Sequence, residues 1–551
     1  MKTIVLTGIV SCCTILLLVA VGLPPSNSGS FNHAWTIQYS EALSWTEPFP
    51  RNLPGLWAGF GGHDFFFYAP LPFWFVAVFV DPLCPRCGST TEFAVGSSIL
   101  LVASGFAMFA FLRRFFDSRP AAFGATFYVL MPYHLLLDWF LRQAAGEFAA
   151  YAFIPLVALG IDQIRKGERG TAALTLGVAG TALSHLPTTL LAAHVFGLLV
   201  LVLVARADGG WIGKLRLLAG FAWPAMLGLA LASFYWLPAV VLLDTVSPHV
   251  LFDPYFEAWR WLYAYGAETP NEHFALTVSI AFLACAPLVL GSSLFARGPL
   301  LVWILVPTTL ALFLNTAPSE PIWRNWIISK AQFPWRMMIF VDFAAGISAA
   351  VLLNSAASRV GRFVLSAALI AAVLPTAYLT KQVKLSMDQA LPETQYHDGF
   401  AAIEYLSPEM NEALRRRLDL PELDHFDQGA VARSIADMAT EFARTHPEVN
   451  ILRTGTRSLT AVGPRDAKVM PLPVQYWSLW TASNSSGTAL ETRPNPVFGT
   501  LDIIAPAGGF DREPVHVSLR YRPSEVIGAV VSVLAMLVLL ATSIRARRRK
   551  H

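Results

Sequence analysis

Long apolar stretches alternate with short polar ones along most of this chain, and they predict a protein that crosses a membrane many times. Apolar windows of about 17 to 25 residues match the thickness of a bilayer core. They lie at 3–23, 93–112, 120–138, 147–163, 171–186, 189–205, 217–242, 274–296, 299–315, 336–354, 360–380 and 525–544. A shorter run at 65–80 contains Pro70 and Pro72, so it spans, re-enters or lies along the interface. The pattern predicts an all-α polytopic membrane domain with about 12 to 13 spans.

Basic residues in the loops between these windows predict the orientation of the chain. They fall on one side of the membrane if 65–80 does not cross, and cytoplasmic loops hold the excess of Lys and Arg. We therefore expect both termini in the cytoplasm, and 65–80 to be re-entrant or juxtamembrane. The net charge of +3 is small, and clusters of basic residues lie in these loops and in the tail. This distribution favours membrane topology over nucleic-acid binding.

Three regions follow from this arrangement. Residues 1–380 form the membrane domain with a long first outer loop at 24–92, residues 381–523 an extracytoplasmic domain, and 524–551 a final transmembrane helix with a basic cytoplasmic tail. Within the second region, 386–443 is charged and has a helical pattern. Alternating runs then follow at 474–480, 501–504 and 515–521. Such runs, separated by Gly, Pro and Asn, predict a small β-sandwich and hence a small α+β domain.

Two local features concern the outer side of the membrane. Lys2 precedes an apolar run that ends at Leu23, and no clear small-residue cleavage site follows, so we expect an uncleaved signal anchor. Cys12, Cys13 and Cys285 lie in predicted spans, and the two remaining cysteines, Cys84 and Cys87, are close together in sequence. Neither partner metal ligands nor a thioredoxin-like pattern accompanies them, so a local disulfide or two free thiols is expected.

Polar residues that could carry chemistry are concentrated in the first outer loop. A long loop rich in His, acidic and aromatic residues suits a site where a polar substrate meets a lipid-borne one, although interfacial aromatic residues also form a structural belt. Asp64 and Glu41 are candidate catalytic carboxylates there. The candidate substrate-binding residues of this loop are His33, Arg51, His63 and Tyr68.

Later outer loops add cations and a second acid. Arg142 and Glu147 lie near the ends of neighbouring windows, where they form either an ion pair or part of a site. Lys330, Trp335 and Arg336 precede or begin a late span, and outer-side cations of this kind indicate an anionic ligand. His185 lies between two apolar runs, and is either a binding residue or a histidine satisfied by its neighbours. Asp342, inside the late span, is expected to be a buried hydrogen-bond partner.

Several chemistries are excluded by the motifs that this sequence lacks. It has no Walker loop, dinucleotide fingerprint, HExxH motif or G-x-S-x-G elbow. No metal-ligand spacing demands a metal, and no cofactor is expected, although a divalent cation could bind if Asp64 and Glu147 converge.

At this point the chain resembles a known family. The resembling features are His33 soon after the first span, Pro50-Arg51, Gly61-Gly62 before Tyr68-Ala69-Pro70-Leu71, Arg142 with Glu147, His185-Leu186-Pro187, and Gln332-Phe333-Pro334-Trp335-Arg336. They are similar to those of the bacterial membrane proteins labelled "6-pyruvoyl-tetrahydropterin synthase related", a historical label that implies no pterin chemistry. These proteins are similar in architecture to GT-C glycosyltransferases. The resemblance therefore implies a GT-C-like fold.

The resemblance also implies a function on the outer side of a bacterial inner membrane. We expect a multi-pass glycosyltransferase that moves a sugar from a polyprenyl-phosphate donor to a cell-envelope glycan or lipid. Arg142, Lys330 and Arg336 would hold the donor phosphate. GT-C enzymes usually carry an acid soon after the first span, whereas this chain has Asn32-His33 there. Asp64 is therefore the first-ranked catalytic base, ahead of Glu41 and Glu147.

The alternative is a non-catalytic membrane protein that binds or moves a glycolipid. The missing early acid favours it. Convergence of carboxylates with Arg336 in one cavity would favour the enzyme, and their separation would favour the binding protein.

Overall fold

The computed structural model describes residues 28–247, 250, 256–262, 270–387, 402–423, 428–506, 509–510 and 512–548. The expected signal anchor at 3–23 lies outside these residues. Within them, nine helices are long and apolar enough to cross a membrane. They are Ser89–Leu112, Ser118–Leu141, Ala145–Arg165, Leu186–Ala205, Trp211–Leu231, Phe274–Ser293, Pro334–Ser355, Arg359–Leu385 and Pro523–Ile544. The prediction of a polytopic helical membrane domain is confirmed.

Several of these helices contain more than one kind of turn. Ser118–Leu130 is α-helical, and Tyr133–Leu141 continues it as a π-helix. Ala145–Ala150 and Ile154–Arg165 share one apolar segment, and the 3₁₀ turn Pro334–Met337 leads into the α-helix Met338–Ser355. Three of the nine helices extend beyond their apolar segments, and their full lengths are Pro270–Ser293, Arg359–Met387 and Pro523–Arg548.

Three predicted spans differ in detail from the structure. Window 171–186 is the helix Thr171–Ser184, whose 14 residues measure about 21 Å at about 1.5 Å per residue. Window 217–242 contains the end of Trp211–Leu231 and a separate helix, Ser233–Val241. Pro299–Leu314 is followed by Ala317–Trp323 at a bend of 87°. Hydropathy recorded the apolar composition of these segments but not the breaks within them.

The first outer loop is compact and contains mostly short helices. Its longest helix is Gly29–Ala42. The 3₁₀ turns Trp57–Gly59 and Asp64–Phe66 follow, and then the apolar stretch Leu71–Leu83. That stretch is short for a span, in agreement with the prediction that 65–80 does not cross. Cys84 and Cys87 form a disulfide, one of the two states expected for this pair.

Residues 402–519 form a domain with two antiparallel sheets, here called the sheet domain. Its helices are Pro408–Leu418 and Gln428–Thr445. The strands are β1 Asn450–Gly455, β2 Ser458–Val462, β3 Val469–Gln475, β4 Trp480–Ser483, β5 Ala489–Leu490, β6 Thr492–Pro494, β7 Thr500–Ile504 and β8 Val515–Leu519. One sheet has the order β1-β2-β8-β4-β5 and the other β3-β7-β6. Helices followed by strands agree with the predicted α+β domain.

One strand prediction in this domain was wrong. The run 474–480 was expected to be a single strand, but β3 ends at Gln475 and β4 begins at Trp480. Between them the buried Trp477 stacks on His63 of the first loop, with ring centroids 4.2 Å apart. The apolar residues of this run therefore serve a contact between domains, which alternation along the sequence does not reveal.

Backbone hydrogen bonds attach the sheet domain to the first loop. The Gln475 amide donates to the Phe60 carbonyl at 2.7 Å, and Arg453 Nη2 donates to the Gly59 carbonyl at 2.8 Å. Trp477 Nε1 also donates to the Thr245 carbonyl at 3.1 Å. Buried side chains of both regions belong to one continuous apolar core. The sheet domain is thus packed against the loop that carries most of the predicted site residues.

A buried ion network joins the same two regions to the final helix. Arg457 pairs with Glu47 at 3.3 Å and also with Glu525, which Arg51 Nε approaches at 3.3 Å. The Arg457 guanidinium lies 4.1 Å from the Tyr521 ring centroid. Arg51, predicted to bind substrate, thus has its contacts at this junction, where it also donates to the Phe234 carbonyl.

Replacing Arg457 should loosen the sheet domain. In Arg457→Ala the carboxylates of Glu47 and Glu525 lose a buried partner, which costs about 3–5 kcal/mol when one side of a buried pair is removed. We expect faster proteolysis of the sheet domain and a lower unfolding temperature. Arg417→Ala is the control, because Arg417 pairs with Glu441 at the surface, where such a pair contributes about 0–1 kcal/mol. Equal protease resistance of the two variants would contradict this role of Arg457.

Candidate active site

The site begins where the π-helix Tyr133–Leu141 ends. This helix brings the Tyr133 hydroxyl and the Asp138 carboxylate within hydrogen-bond distance of Arg142, the residue that directly follows the helix. Gln143 then adopts a left-handed conformation with φ 51°, and the chain reverses into the helix Ala145–Ala150. Short π-helical segments and non-glycine residues at positive φ are both concentrated at functional sites. The reversal places Glu147 back against Arg142.

Glu147 is the centre of a buried cluster, here called the arginine cluster, made of Tyr133, Asp138, Arg142, Glu147 and Arg336. Glu147 Oε2 accepts from Arg142 Nη1 at 3.0 Å and lies 3.5 Å from Arg336 Nε. Its Oε1 accepts from the Tyr133 hydroxyl at 2.6 Å. Arg142 Nη1 also donates to Asp138 Oδ1 at 2.7 Å. One carboxylate is therefore shared by two guanidinium groups.

Arg336 reaches this cluster from a second strained turn. Gln332 has φ 62°, and the 3₁₀ turn Pro334–Met337 follows. Arg336 Nη1 donates to the Ala331 carbonyl at 2.6 Å and to Gln332 Oε1 at 3.1 Å. The Phe333 and Trp335 rings stack with centroids 4.1 Å apart, and the Arg142 guanidinium lies 5.7 Å from the Trp335 ring centroid. Trp335 therefore packs on Arg142, and the Arg336 guanidinium lies 4.9 Å from the Phe333 ring centroid.

Tyr68 and His185 both lie close to Gly146, the residue that precedes Glu147 of the arginine cluster. A Cβ atom on Gly146 would lie 2.5 Å from the Ser184 carbonyl oxygen, so only glycine permits this close approach. The same position is 3.5 Å from the Tyr68 hydroxyl and 3.4 Å from His185 Cδ2. Burial raises the pKa of Tyr68 to about 12 against the lowering effect of Arg336 and Arg142, so its hydroxyl keeps its proton at neutral pH.

The hydrogen bonds of His185 define its tautomer. The Thr188 backbone amide donates to His185 Nδ1 at 3.3 Å, so Nδ1 is the acceptor and Nε2 carries the proton of the neutral ring. Neither Nε2 nor the Tyr68 hydroxyl has a hydrogen-bond partner among the described residues. Both groups can therefore donate to a ligand at the cluster.

The cations keep part of their hydrogen-bonding capacity for a ligand. Every hydrogen bond of Arg142 to described residues uses Nη1, so its Nε–Nη2 edge remains available for a ligand. Arg336 uses Nη1 for its hydrogen bonds and Nε for its ion pair with Glu147, so its Nη2 remains available for a ligand. A guanidinium edge matches a carboxylate or phosphate in a bidentate manner. The arginine cluster, with Tyr68 and His185, is thus arranged to bind an oxyanion.

Asp64 occupies a separate position beside this cluster. It is fully buried, and Trp35 Nε1 donates to its Oδ1 at 3.1 Å. The Trp35 ring also packs on the Tyr68 ring, with centroids 4.5 Å apart. Asp64 is therefore adjacent to the arginine cluster through Trp35 and Tyr68, and makes no ion pair with either arginine. Burial raises the pKa of Asp64 to about 7, against the opposing effect of the Trp35 hydrogen bond.

None of the contacts described for the remaining predicted site residues is with Arg142 or Arg336. His63 is buried against Trp477, and burial lowers its pKa to about 3, so its ring is neutral. His33 is buried against Phe93, with ring centroids 5.2 Å apart. Glu41 is exposed and accepts from Gln38 Nε2 at 2.9 Å, and Lys330 is exposed in the turn Ile328–Ala331.

Three residues at the site were not among the sequence-based candidates. Asp138 lies four residues before Arg142, and that spacing on a helix was a recognisable indication of an ion pair. Tyr133 gave no such indication. Tyr405, in the 3₁₀ turn Ile403–Tyr405 of the sheet domain, packs its ring against the rings of Trp35 and Tyr68. It is more than 300 residues away in sequence, so no local pattern could connect it with them.

Asn32 holds the loop that carries Arg142. Its side-chain amide donates to the Gln143 carbonyl, and the Ser28 amide donates to the Arg142 carbonyl at 3.2 Å. An aspartate at position 32 could not donate this bond. The absence of an acid soon after the first predicted span therefore has a structural reason.

Asp342 has the structural role expected of it. It accepts from the His134 backbone amide at 3.0 Å and from the Tyr151 hydroxyl at 3.0 Å, and the Cys285 thiol lies 3.5 Å away. These contacts join four transmembrane segments. Within the described part of the chain, no group of three or more His, Cys, Asp and Glu side chains is arranged to hold a metal ion.

The solved structures that are similar to this chain include the following two. Arabinofuranosyltransferase AftD from Mycobacteria is 17% identical, with 75% of this chain and 28% of that chain covered and a TM-score of 0.42. The oligosaccharyltransferase of Archaeoglobus fulgidus, tethered with an acceptor peptide, is 14% identical, with 74% and 57% covered and a TM-score of 0.39. This chain thus spans less than two thirds of either protein. No protein-family model and no curated protein matches the sequence.

By their names, both of these proteins transfer sugars. The family resemblance in the sequence and the dependence on a polyprenyl phosphate stay predictions.

Removing the shared carboxylate should destabilise the membrane domain. Glu147→Gln keeps the side-chain shape but leaves Arg142 and Arg336 close together without their common counter-ion. We expect a loss of about 3–5 kcal/mol in the free energy of unfolding, measured as a lower midpoint of thermal unfolding in detergent. Glu41→Gln, at an exposed position, is the matched control and should change the midpoint little. Wild-type stability of Glu147→Gln would disprove the central role of this carboxylate.

Proposed function

We propose that this protein is a membrane glycosyltransferase that moves a sugar from a polyprenyl-phosphate donor to a cell-envelope glycan or lipid. The observation that carries the proposal is the pair of guanidinium groups of Arg142 and Arg336 on one buried carboxylate. Their remaining N–H groups, with the Tyr68 hydroxyl and His185 Nε2, form a set of donors suited to a phosphate. A buried, preformed set of donors is also what stabilises a phosphate leaving group.

In the proposed reaction, the bond between the sugar's anomeric carbon and the donor phosphate oxygen breaks. The phosphate keeps the bonding electrons, and the negative charge that develops on its oxygen is stabilised by Arg142 and Arg336. The neutral Tyr68 hydroxyl and the His185 Nε2–H add hydrogen bonds without changing protonation. Trp335 keeps Arg142 in place by packing on its guanidinium.

The acceptor hydroxyl must lose its proton as it attacks the anomeric carbon, and we assign this step to Asp64. Glu147 is unsuited to it, because both its oxygens are engaged by Tyr133 and the arginines. Asp64 has a free Oδ2 among the described residues, and its pKa near 7 suits a base that works at neutral pH. Asp64 lies next to Tyr68 through Trp35, so base and phosphate site are neighbours.

The location of this activity follows from the loop charges. We propose that the protein spans the bacterial inner membrane, with both termini cytoplasmic and the sheet domain periplasmic. The donor then reaches the arginine cluster from the bilayer and the acceptor from the outer side. The chemistry above uses the chain's own residues and requires no cofactor.

The first test replaces Arg142, whose guanidinium can bind a phosphate in a bidentate manner. Arg142→Lys keeps one positive charge for Glu147 but loses the Nε–Nη2 edge. A hydrogen bond to a charged group contributes about 1.5–3 kcal/mol, so transfer from a radiolabelled polyprenyl-phosphate sugar should fall about 10- to 100-fold. Arg324→Lys, which changes an exposed arginine paired with Glu320, should keep full activity. Full activity of Arg142→Lys would argue against the phosphate site.

The second test concerns the base and its pH dependence. Asp64→Asn keeps the shape and should lower transfer about 10²- to 10⁴-fold, the usual contribution of a positioned base. Asp64 must be deprotonated to act, so wild-type activity should rise with pH up to about 7 and then level off. Glu41→Gln should leave both the rate and this profile unchanged.

Complementation of a deletion strain separates the enzyme from the alternative. If Asp64→Asn restores the parental glycolipid and polysaccharide profile while Arg142→Lys does not, the protein binds or moves a glycolipid without catalysis. If both variants fail to restore it while reaching the membrane in normal amounts, the enzyme proposal is supported.

A further inference from the structure

A second group of charged side chains lies at the opposite end of the membrane domain from the arginine cluster. The apolar helix Ala145–Arg165 starts just after Arg142 and ends at Arg165. Its 21 residues measure about 31 Å at about 1.5 Å per residue, close to the roughly 30 Å thickness of a bilayer core. The loop residues 113–119 and 162–169, which meet at this end, therefore lie at the level of the lipid headgroups on the other membrane face.

The centre of this group is the carboxylate of Asp162, which is fully buried. Three cations contact it: Arg114 Nε at 2.9 Å, Arg165 Nη2 at 2.7 Å and Lys166 Nζ at 3.2 Å. Arg114 Nη2 also pairs with Glu168 at 2.5 Å. These five residues are here called the Asp162 cluster. Its three cations outnumber its two carboxylates, so the cluster keeps a positive charge.

The surrounding loops add to this excess of positive charge. Residues 113–119 and 162–169 contain six basic and three acidic residues. Arg113 and Arg169 are exposed, and neither forms an ion pair within the described part of the chain. A bias of cations toward one membrane face requires only that basic residues lie in the loops. Here one buried carboxylate gathers three of them at fixed positions, which is an arrangement suited to binding an anion.

The cations of the Asp162 cluster keep hydrogen-bond donors for a ligand. Their side chains are between 21% and 32% exposed, so a ligand can reach them. Arg165 donates through Nη2, and Arg114 through Nε and Nη2, so Nη1 of both guanidinium groups has no partner among the described residues. Lys166 Nζ also donates to the Arg114 carbonyl at 3.3 Å. An ammonium has three N–H groups, so Lys166 keeps one beyond those for Asp162 and this carbonyl.

We propose that the Asp162 cluster binds the phosphate of an anionic phospholipid headgroup. Its cations lie at the ends of apolar spans, where lipid phosphates are found, and two guanidinium groups with a lysine suit a phosphate. The unbalanced positive charge favours an anionic headgroup over a zwitterionic one, whose own cation would be repelled. The Phe115 ring, whose centroid lies 5.0 Å from Lys166 Nζ, offers an apolar surface to the acyl chains.

The test measures lipid binding to the full-length protein in detergent by native mass spectrometry. Dioleoylphosphatidylglycerol, which is anionic, should bind at least about 10-fold more tightly than zwitterionic dioleoylphosphatidylcholine. Lys166→Gln should weaken the binding of phosphatidylglycerol about 10-fold, the order expected for the loss of one charge-assisted hydrogen bond. Lys166→Arg, which keeps the charge, should bind phosphatidylglycerol as the wild type does.

The matched control is Arg206→Gln. Arg206 is exposed at the end of Leu186–Ala205, a helix that starts next to His185 near the arginine cluster and so ends on the same membrane face as the Asp162 cluster. This substitution removes one cation from that face and should leave the binding of phosphatidylglycerol unchanged. Equal binding by Lys166→Gln and the wild type, or an equal loss in Arg206→Gln, would overturn the proposal.

Inorganic phosphate separates a lipid site from a site for a soluble anion. It has the same oxyanion but no acyl chains, so even in large excess it should not displace phosphatidylglycerol. Displacement by inorganic phosphate would overturn the assignment to a lipid. If Lys166→Gln does not fold, Arg165→Gln replaces it, because this variant also leaves two cations on Asp162. Unchanged lipid binding in Arg165→Gln would then refute the site.

Discussion

The arrangement of the site depends on one carboxylate that two guanidinium groups share. Two buried cations a few ångströms apart repel each other strongly in a medium of low polarity, and they remain there only if a counter-charge lies between them. Glu147 supplies that charge, and its other oxygen is held by Tyr133. Because Arg142 and Arg336 come from segments far apart in sequence, this interaction also sets how the corresponding transmembrane segments meet.

The same interaction explains why the local backbone is strained. Gln143 and Gln332 both adopt a left-handed conformation, one just after Arg142 and the other four residues before Arg336. Such positions cost about 1–3 kcal/mol each and persist only where their surroundings fix them. Here the Asn32 amide, the Ala331 carbonyl and the stacked rings of Phe333 and Trp335 provide that support. The cations are thus held in place before any ligand arrives, which lowers the ordering cost of binding.

The sheet domain is bound to this centre by two kinds of contact. Charged groups at Arg457 connect it to the first loop and to the final helix, while Trp477 and Tyr405 pack on the aromatic residues around Asp64. The first kind fixes the domain to the membrane portion, and the second shields Asp64 from water. A carboxyl group shielded in this way titrates near neutrality, whereas the same group on an open loop would be ionised. The chemistry of Asp64 is therefore a property of the docked domains together.

The sequence by itself determined the polytopic membrane domain and a second region in which helices precede strands, and it led to Arg142 and Arg336 as candidate phosphate ligands. Those conclusions depend on apolar length, on alternation, and on the cost of charges at membrane level, all of which are local properties. Tertiary structure decided which charges meet. It placed Arg51 in the Arg457 network, His63 under Trp477, and Tyr405 on Phe67. Contacts between residues hundreds of positions apart leave no periodic pattern in one sequence, so only the folded chain could reveal them.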